Sequence, residues 1–112
     1  MEGIATFEDW TKLKLVVAQI KAVEEIEGAD KLWKITLDAG NLGERTICAG
    51  IKQVYTKEEL LNKKIIYFSN LEPRKMRGVE SQGMLLAASS EDRSKVVLIS
   101  PEKDIENGSV IG

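Results

Sequence analysis

Thr56-Lys57-Glu58-Glu59-Leu60-Leu61-Asn62-Lys63-Lys64-Ile65-Ile66-Tyr67-Phe68 is the stretch on which the fold turns. Thr56 and Glu59 stand three apart as a capping box, in which the hydroxyl and the carboxylate each accept from the other residue's free backbone N–H. The helix so started must be short, because Asn62-Lys63-Lys64 leads at once into the apolar run Ile65–Phe68. Such a run reads as a well-buried strand. A one-turn helix is thus inserted ahead of a strand, and the question becomes what flanks the pair.

Upstream, Leu15–Val23 is a β-prone run, and Glu27-Gly28-Ala29-Asp30 reads as a turn with Gly28 as its permissive residue. Leu32–Asp38 alternates Trp33, Ile35 and Leu37 against Lys34, Thr36 and Asp38, the pattern of a half-buried strand. Ala39–Gly43 reads as a hairpin connection into a third strand, Arg45–Ala49. Downstream, Asn70–Glu80 reads as a polar loop containing Pro73 and Gly78. Met84–Ala88 reads as a fifth strand and Val96–Ile99 as a short sixth. Strand–strand–strand–helix–strand–strand is the order of an OB-fold, a five-stranded Greek-key barrel; other small barrels and α+β domains share it. The fold expected is all-β with short helices. At the start, Thr6 caps a short helix on which Ile4, Phe7, Trp10 and Leu13 recur every three residues on one face. A barrel that the helix lies outside leaves that face uncovered, unless the helix docks on the barrel or on a second subunit.

With 112 residues, 43% hydrophobic and 30% charged, the chain suits one globular domain with one core. No apolar run approaches the ~20 residues that span a bilayer, and Met1–Trp10 lacks the basic and apolar regions of a signal peptide. Histidine is absent, which removes the commonest general base and the commonest metal ligand. The single cysteine, Cys48, lies between Ile47 and Ala49, reads as a small buried hydrophobe, and can build neither an internal disulfide nor a zinc site. No phosphate loop is present. The chain is therefore expected to be non-catalytic, without metal or cofactor, and to belong to a reducing, cytoplasmic setting.

Net charge is −2, but it is unevenly spread: residues 51–88 carry seven Lys/Arg against four Asp/Glu, while the segments on either side are acidic. The positive charge is densest at Arg74, Lys75 and Arg77, between Pro73 and Gly78. Cations so placed suit phosphates, although on spacing alone a solvated basic loop is the favoured reading. Ser81 and Gln82 suit phosphate, sugar or base edges, Gly83 a close backbone approach, and Met84 either an apolar surface under a base or a core position. Asn70 reads as a ligand contact or a turn residue. Lys31, Lys34 and Lys52 would edge the binding face of an OB barrel. Trp33 reads as core.

The stretch Ser69-Asn70-Leu71-Glu72-Pro73-Arg74-Lys75-Met76-Arg77-Gly78-Val79-Glu80-Ser81-Gln82-Gly83-Met84-Leu85-Leu86-Ala87-Ala88 closely resembles the signature of the EMAP II-like tRNA-binding domain. The likeness extends to Phe7-Glu8-Asp9, Gly28-Ala29-Asp30-Lys31-Leu32, Tyr55–Leu60 and Ser100–Asp104, and so covers essentially the whole chain. Such domains occur at the C-terminus of methionyl-tRNA synthetases, in synthetase cofactors and as free-standing proteins. The resemblance implies a single domain over 1–112, with a barrel at about 15–88 and extensions at 1–14 and 89–112 that form a homodimer. It implies shape-based capture of tRNA, with methionyl-tRNA synthetase as a partner and no membrane involved. Carried over by position, the tRNA contacts are Lys31, Asn70, Arg74, Lys75, Arg77, Ser81 and Met84. Val16 and Gln19 stand where many relatives have Arg and Lys, and Glu72 where Lys is frequent, which implies weaker, more salt-sensitive binding. A related dimeric export chaperone of the same fold binds extended peptides instead; its signature lacks the Arg-Lys-x-Arg-Gly-Val-Glu-Ser-Gln-Gly run that is intact here. A docking subunit of a synthetase complex is the third possibility.

Overall fold

The computed structural model describes residues 2–112; Met1, with which the expected extension 1–14 begins, lies outside them. Helix α1 (Phe7–Thr11) is followed by β1 (Leu15–Ile26), β2 (Ala29–Asp38), a 3₁₀ turn at Gly40–Leu42 and β3 (Glu44–Ala49). Helix α2 (Lys57–Leu60) then precedes β4 (Lys64–Phe68), β5 (Arg74–Met76), β6 (Val79–Ser81), β7 (Met84–Leu85), β8 (Ala87–Ser89) and β9 (Val96–Leu98). Both helices start at the capping boxes their sequences carry, Thr6 with Asp9 and Thr56 with Glu59.

The main sheet is antiparallel, in the order β3-β2-β1-β4-β7. At its centre β1 serves three partners. Leu15–Gln19 pairs with β4, and Gln19–Ile26 pairs with β2 through register irregularities that bend the strand. The edge of β1 that β2 leaves free is taken by the tail: Gly108 donates to the Val17 carbonyl (2.7 Å), Val17 to Ser109 (2.9 Å) and Ile111 to Leu15 (3.0 Å).

On the far side the barrel closes without a continuous strand ladder. Thr46 N–H donates to Gln82 Oε1 (2.9 Å), Gln82 N–H donates to the Thr46 carbonyl (2.8 Å), and Cys48 N–H donates to Ser81 Oγ (2.9 Å). The result is an OB-like five-stranded barrel. Its interior holds Ala18, Ile20, Ile35, Leu37, Ile47, Ile65 and Tyr67, with Leu60 of α2 plugged into it. The alternation Trp33, Ile35, Leu37 faces inward. Each fully buried Leu or Ile here stabilises the fold by roughly 1.5–3 kcal/mol. Outside the barrel a second apolar cluster joins Leu15, Val17 and Ile66 to Phe68, Leu86 and Ile111.

Two segments differ from the sequence reading. Asn70–Glu80 is not a plain polar loop, because Arg74–Met76 and Val79–Ser81 pair as a hairpin. The fifth strand does not run through from Met84 to Ala88. It breaks at Leu86, whose N–H turns to the Ile66 carbonyl (3.1 Å) while its own carbonyl accepts from Ile99 N–H (3.0 Å). Beyond that break, β8 pairs with β9 in a separate two-stranded sheet.

Candidate nucleic-acid interface

The hairpin β5–β6 presents the basic residues. Its register sets Arg74 opposite Ser81, Lys75 opposite Glu80 and Met76 opposite Val79, so Arg77-Gly78 is a two-residue loop. Both loop residues have positive φ (50° and 82°), the sense of a type I′ turn, which matches the twist of the flanking strands. An arginine in that conformation is unusual. Facing pairs share a side of a hairpin, so Met76 and Val79 turn together onto Ile26, Ala29 and Cys48. That apolar foot fixes the hairpin against the barrel and leaves Arg74, Lys75 and Arg77 exposed. Burial in the same cluster pushes the Cys48 thiol up from its ordinary pKa, consistent with a packing role.

None of the three cations is neutralised by an ion pair. Among the described residues the two ion pairs are Lys52–Glu25 and Lys64–Asp104, each at 2.9 Å. The β1–β2 turn adjoins the hairpin tip: Gly28, Ala29, Asp30, Lys31, Leu32 and Arg77 line a hollow of about 280 Å³. Met84 is exposed at the head of β7, on the edge of the sheet next to β4. Lys31, Arg77, Arg74 and Met84 are thus all surface residues, and Arg74 and Met84 border a common slot. Lys52 is committed elsewhere, bonded to Glu25 and lying 5.1 Å from the Trp33 ring centre.

Ser81, expected as a tRNA contact, lies below the surface. It is only 3% exposed; its hydroxyl accepts from Cys48 N–H and donates to the Gly83 carbonyl (3.1 Å). Gln82 likewise spends its side chain on Thr46. Both residues are barrel-closing groups at the foot of the hairpin, and their partners Thr46 and Cys48 carry no local signal of that role. Gly83 has φ +102°, and a Cβ there would lie 2.3 Å from the Phe68 carbonyl oxygen. Its close approach is therefore to this chain's own backbone. Tyr67, whose hydroxyl donates to the Gln82 carbonyl, completes the closure; burial raises its pKa, against the opposing effect of Arg45.

Asn70 is exposed, but both ends of its amide are engaged: Oδ1 accepts from Lys14 N–H (2.8 Å) and Nδ2 donates to the Lys12 carbonyl (2.7 Å). It ties the segment after α1 to the end of β4. Val16 and Gln19 are both engaged by the C-terminal segment. Val16 is buried and bridges to Val110 of the tail. Gln19 donates to the Asn62 carbonyl (3.0 Å) and accepts from Asn107 (3.2 Å).

Residues 15–110 match the model of a family described as a putative tRNA binding domain. The chain is 51% identical over 106 residues to a methionine–tRNA ligase of Caldanaerobacter subterraneus subsp. tengcongensis, covering 95% of this chain and 16% of that protein. It is 46% identical to the methionine–tRNA ligase of Pyrococcus furiosus, covering 95% and 14%. The chain thus spans about one-sixth of the length of these relatives. Among solved structures, a methionyl-tRNA synthetase related protein from Pyrococcus horikoshii superposes with a TM-score of 0.91, at 40% identity over the full length of both chains. The chaperone CsaA of Bacillus anthracis superposes at 0.88, with 28% identity, covering 98% of this chain and all of that one. With the OB-like barrel and the basic hairpin both in place, the chain belongs to the family of putative tRNA-binding domains.

Proposed function

We propose that this chain is a non-catalytic, structure-specific tRNA-binding module that captures tRNA by shape, in the cytoplasm, and serves methionyl-tRNA synthetase. The observation that carries the reading is the set of cations at Arg74, Lys75 and Arg77, which enter neither ion pair among the described residues and stand on a hairpin footed on the barrel. Lys31 extends the patch at the β1–β2 turn, and Met84 offers an adaptable apolar surface to a base or ribose. Ser81 acts from below, by holding β6 to β3. Asn70 acts by anchoring the segment that follows α1.

Two copies of the chain act together in this reading. Phe7 is 79% exposed, and Ile4, Trp10, Leu13, Val97 and Val110 are exposed as well, apolar side chains that a second subunit would cover. Sedimentation should then give a dimer at micromolar concentration; a monomer would remove this part of the proposal.

Fluorescence anisotropy with bulk tRNA, against an unstructured RNA of equal length, tests the main claim. The tRNA should bind more tightly, and log affinity should fall with log salt with a slope of about −3 to −5, as expected for four to six neutralised phosphates. Equal binding of the two RNAs would sink shape recognition. The likeness to the CsaA chaperone supports a second reading, capture of extended peptides. Peptide binding that excludes tRNA, or that proceeds without tRNA affinity, would favour it.

A further inference from the structure

We propose that the hollow beside Asn70 receives Phe7 of a second copy of this chain, and that Asn70 aims α1 across to it. This rests on the two-copy reading above and gives that contact its residues. Every residue from 2 to 14 is exposed, and α1 buries none of its own side chains. A helix of five residues has little stability by itself, since isolated helices below about 12–15 residues are marginal in water. Thr6 and Asp9 cap it, but its apolar face needs a surface to close on. The hollow has the matching character. Its volume is about 430 Å³, well above the ~150 Å³ that holds a benzene ring. Val16, Leu42 and Val110 line it with apolar surface, and Lys14, Arg45 and Asn70 are among its polar lining.

Charge agrees with shape. No Asp or Glu is among the described residues that line the hollow, and neither Lys14 nor Arg45 enters either of the two ion pairs among them. Residues 2–11 carry Glu2, Glu8 and Asp9 and no Lys or Arg. An apolar ring flanked by carboxylates thus meets an apolar recess flanked by cations. A chain does not fill its own hollow, because the segment after α1 is pinned at the rim. Asn70 accepts from Lys14 N–H and donates to the Lys12 carbonyl, while the Lys14 carbonyl accepts from Ser69 N–H (2.9 Å) and Oγ (2.7 Å). With residues 12–14 held so, Phe7 is 79% exposed and is not among the residues lining the hollow. A twofold axis lets each copy fill the other's hollow, a closed arrangement that stops at two. Asn70 is then a positioning residue for α1.

Disulfide capture reads the contact directly. Phe7→Cys and Val110→Cys chains, co-expressed and then oxidised, should give a covalent mixed dimer, and neither variant should do so alone. Cys48 is buried and adds no background. In sedimentation equilibrium, Phe7→Ala should raise the dimer dissociation constant on the order of 10²-fold or more, because each dimer loses two buried rings. Asn70→Ala should raise it about tenfold through the two lost backbone bonds on each side. Phe7 lies outside its own chain's core, so circular dichroism should show Phe7→Ala as folded as the wild type. A dimer that Phe7→Ala leaves unchanged, that gives no mixed disulfide, or that cross-links through Phe7→Cys alone overturns the hollow as the seat of Phe7 and leaves the dimer standing. An Asn70→Ala dimer as tight as the wild type overturns the aiming role. Wild-type protein that stays monomeric at micromolar concentration overturns both this contact and the two-copy reading.

Discussion

The hairpin tip, Arg74–Gly78, and the closure segment, Ser81–Gly83, lie within ten positions of each other and belong to one recognisable run of sequence, yet they do opposite work. The tip holds exposed cations that enter no ion pair among the described residues, in a turn that an arginine enters at some conformational cost. The closure segment has a buried serine, a glutamine bonded twice to Thr46 and a glycine pressed against Phe68. A sequence signature can therefore combine surface chemistry with the framework that positions it. Two residues of the same polar type can fall on either side of that division.

Substitutions should separate the two regions by what they change. The largest effect is expected at Gly83→Ala, where the new Cβ meets the Phe68 carbonyl and the Tyr67 ring at a positive φ. It should cost roughly 3–5 kcal/mol. Denaturant unfolding checks this, and a loss below ~1 kcal/mol would mean the closure is looser than the geometry indicates. Ser81→Ala comes next, leaving the buried Cys48 N–H without an acceptor for roughly 1–3 kcal/mol. Its tRNA affinity, measured well below the melting temperature, should stay within about threefold of wild type, since a group acting through the framework makes no phosphate contact. A much larger affinity loss at unchanged stability would return Ser81 to the binding surface. The smallest effect on stability has the opposite sign. Arg77→Asn places a residue that tolerates positive φ in the turn and should stabilise the fold by up to ~1 kcal/mol while weakening tRNA binding. Unchanged affinity in that variant would take Arg77 out of the contact set.

Much of the framework was legible because its signals are local. The alternation of Trp33, Ile35 and Leu37, the Thr56–Glu59 box and the apolar run at Ile65 each state their structure within a few residues. The hairpin β5–β6 was hidden for a physical reason. Its strands are three residues long, most of their side chains are polar, and its turn is Arg-Gly instead of Asn-Gly. The roles of Asn70, Ser81 and Gln82 were hidden differently. Their partners lie 33 to 58 residues away, and a neutral polar side chain looks the same whether it bonds a ligand or a distant strand. The cations at Arg74, Lys75 and Arg77 were read in place, because exposed charge beside proline and glycine needs no long-range partner to be recognised.

The division between tip and closure is tested most directly by titrating tRNA binding against salt for the wild type and for Arg74→Ala/Lys75→Ala/Arg77→Ala. The triple variant should melt as the wild type does, bind tRNA on the order of 10²-fold more weakly, and show a log–log salt slope shallower by about 2–3. An unchanged slope and affinity in a folded triple variant would contradict the hairpin as the tRNA-binding element.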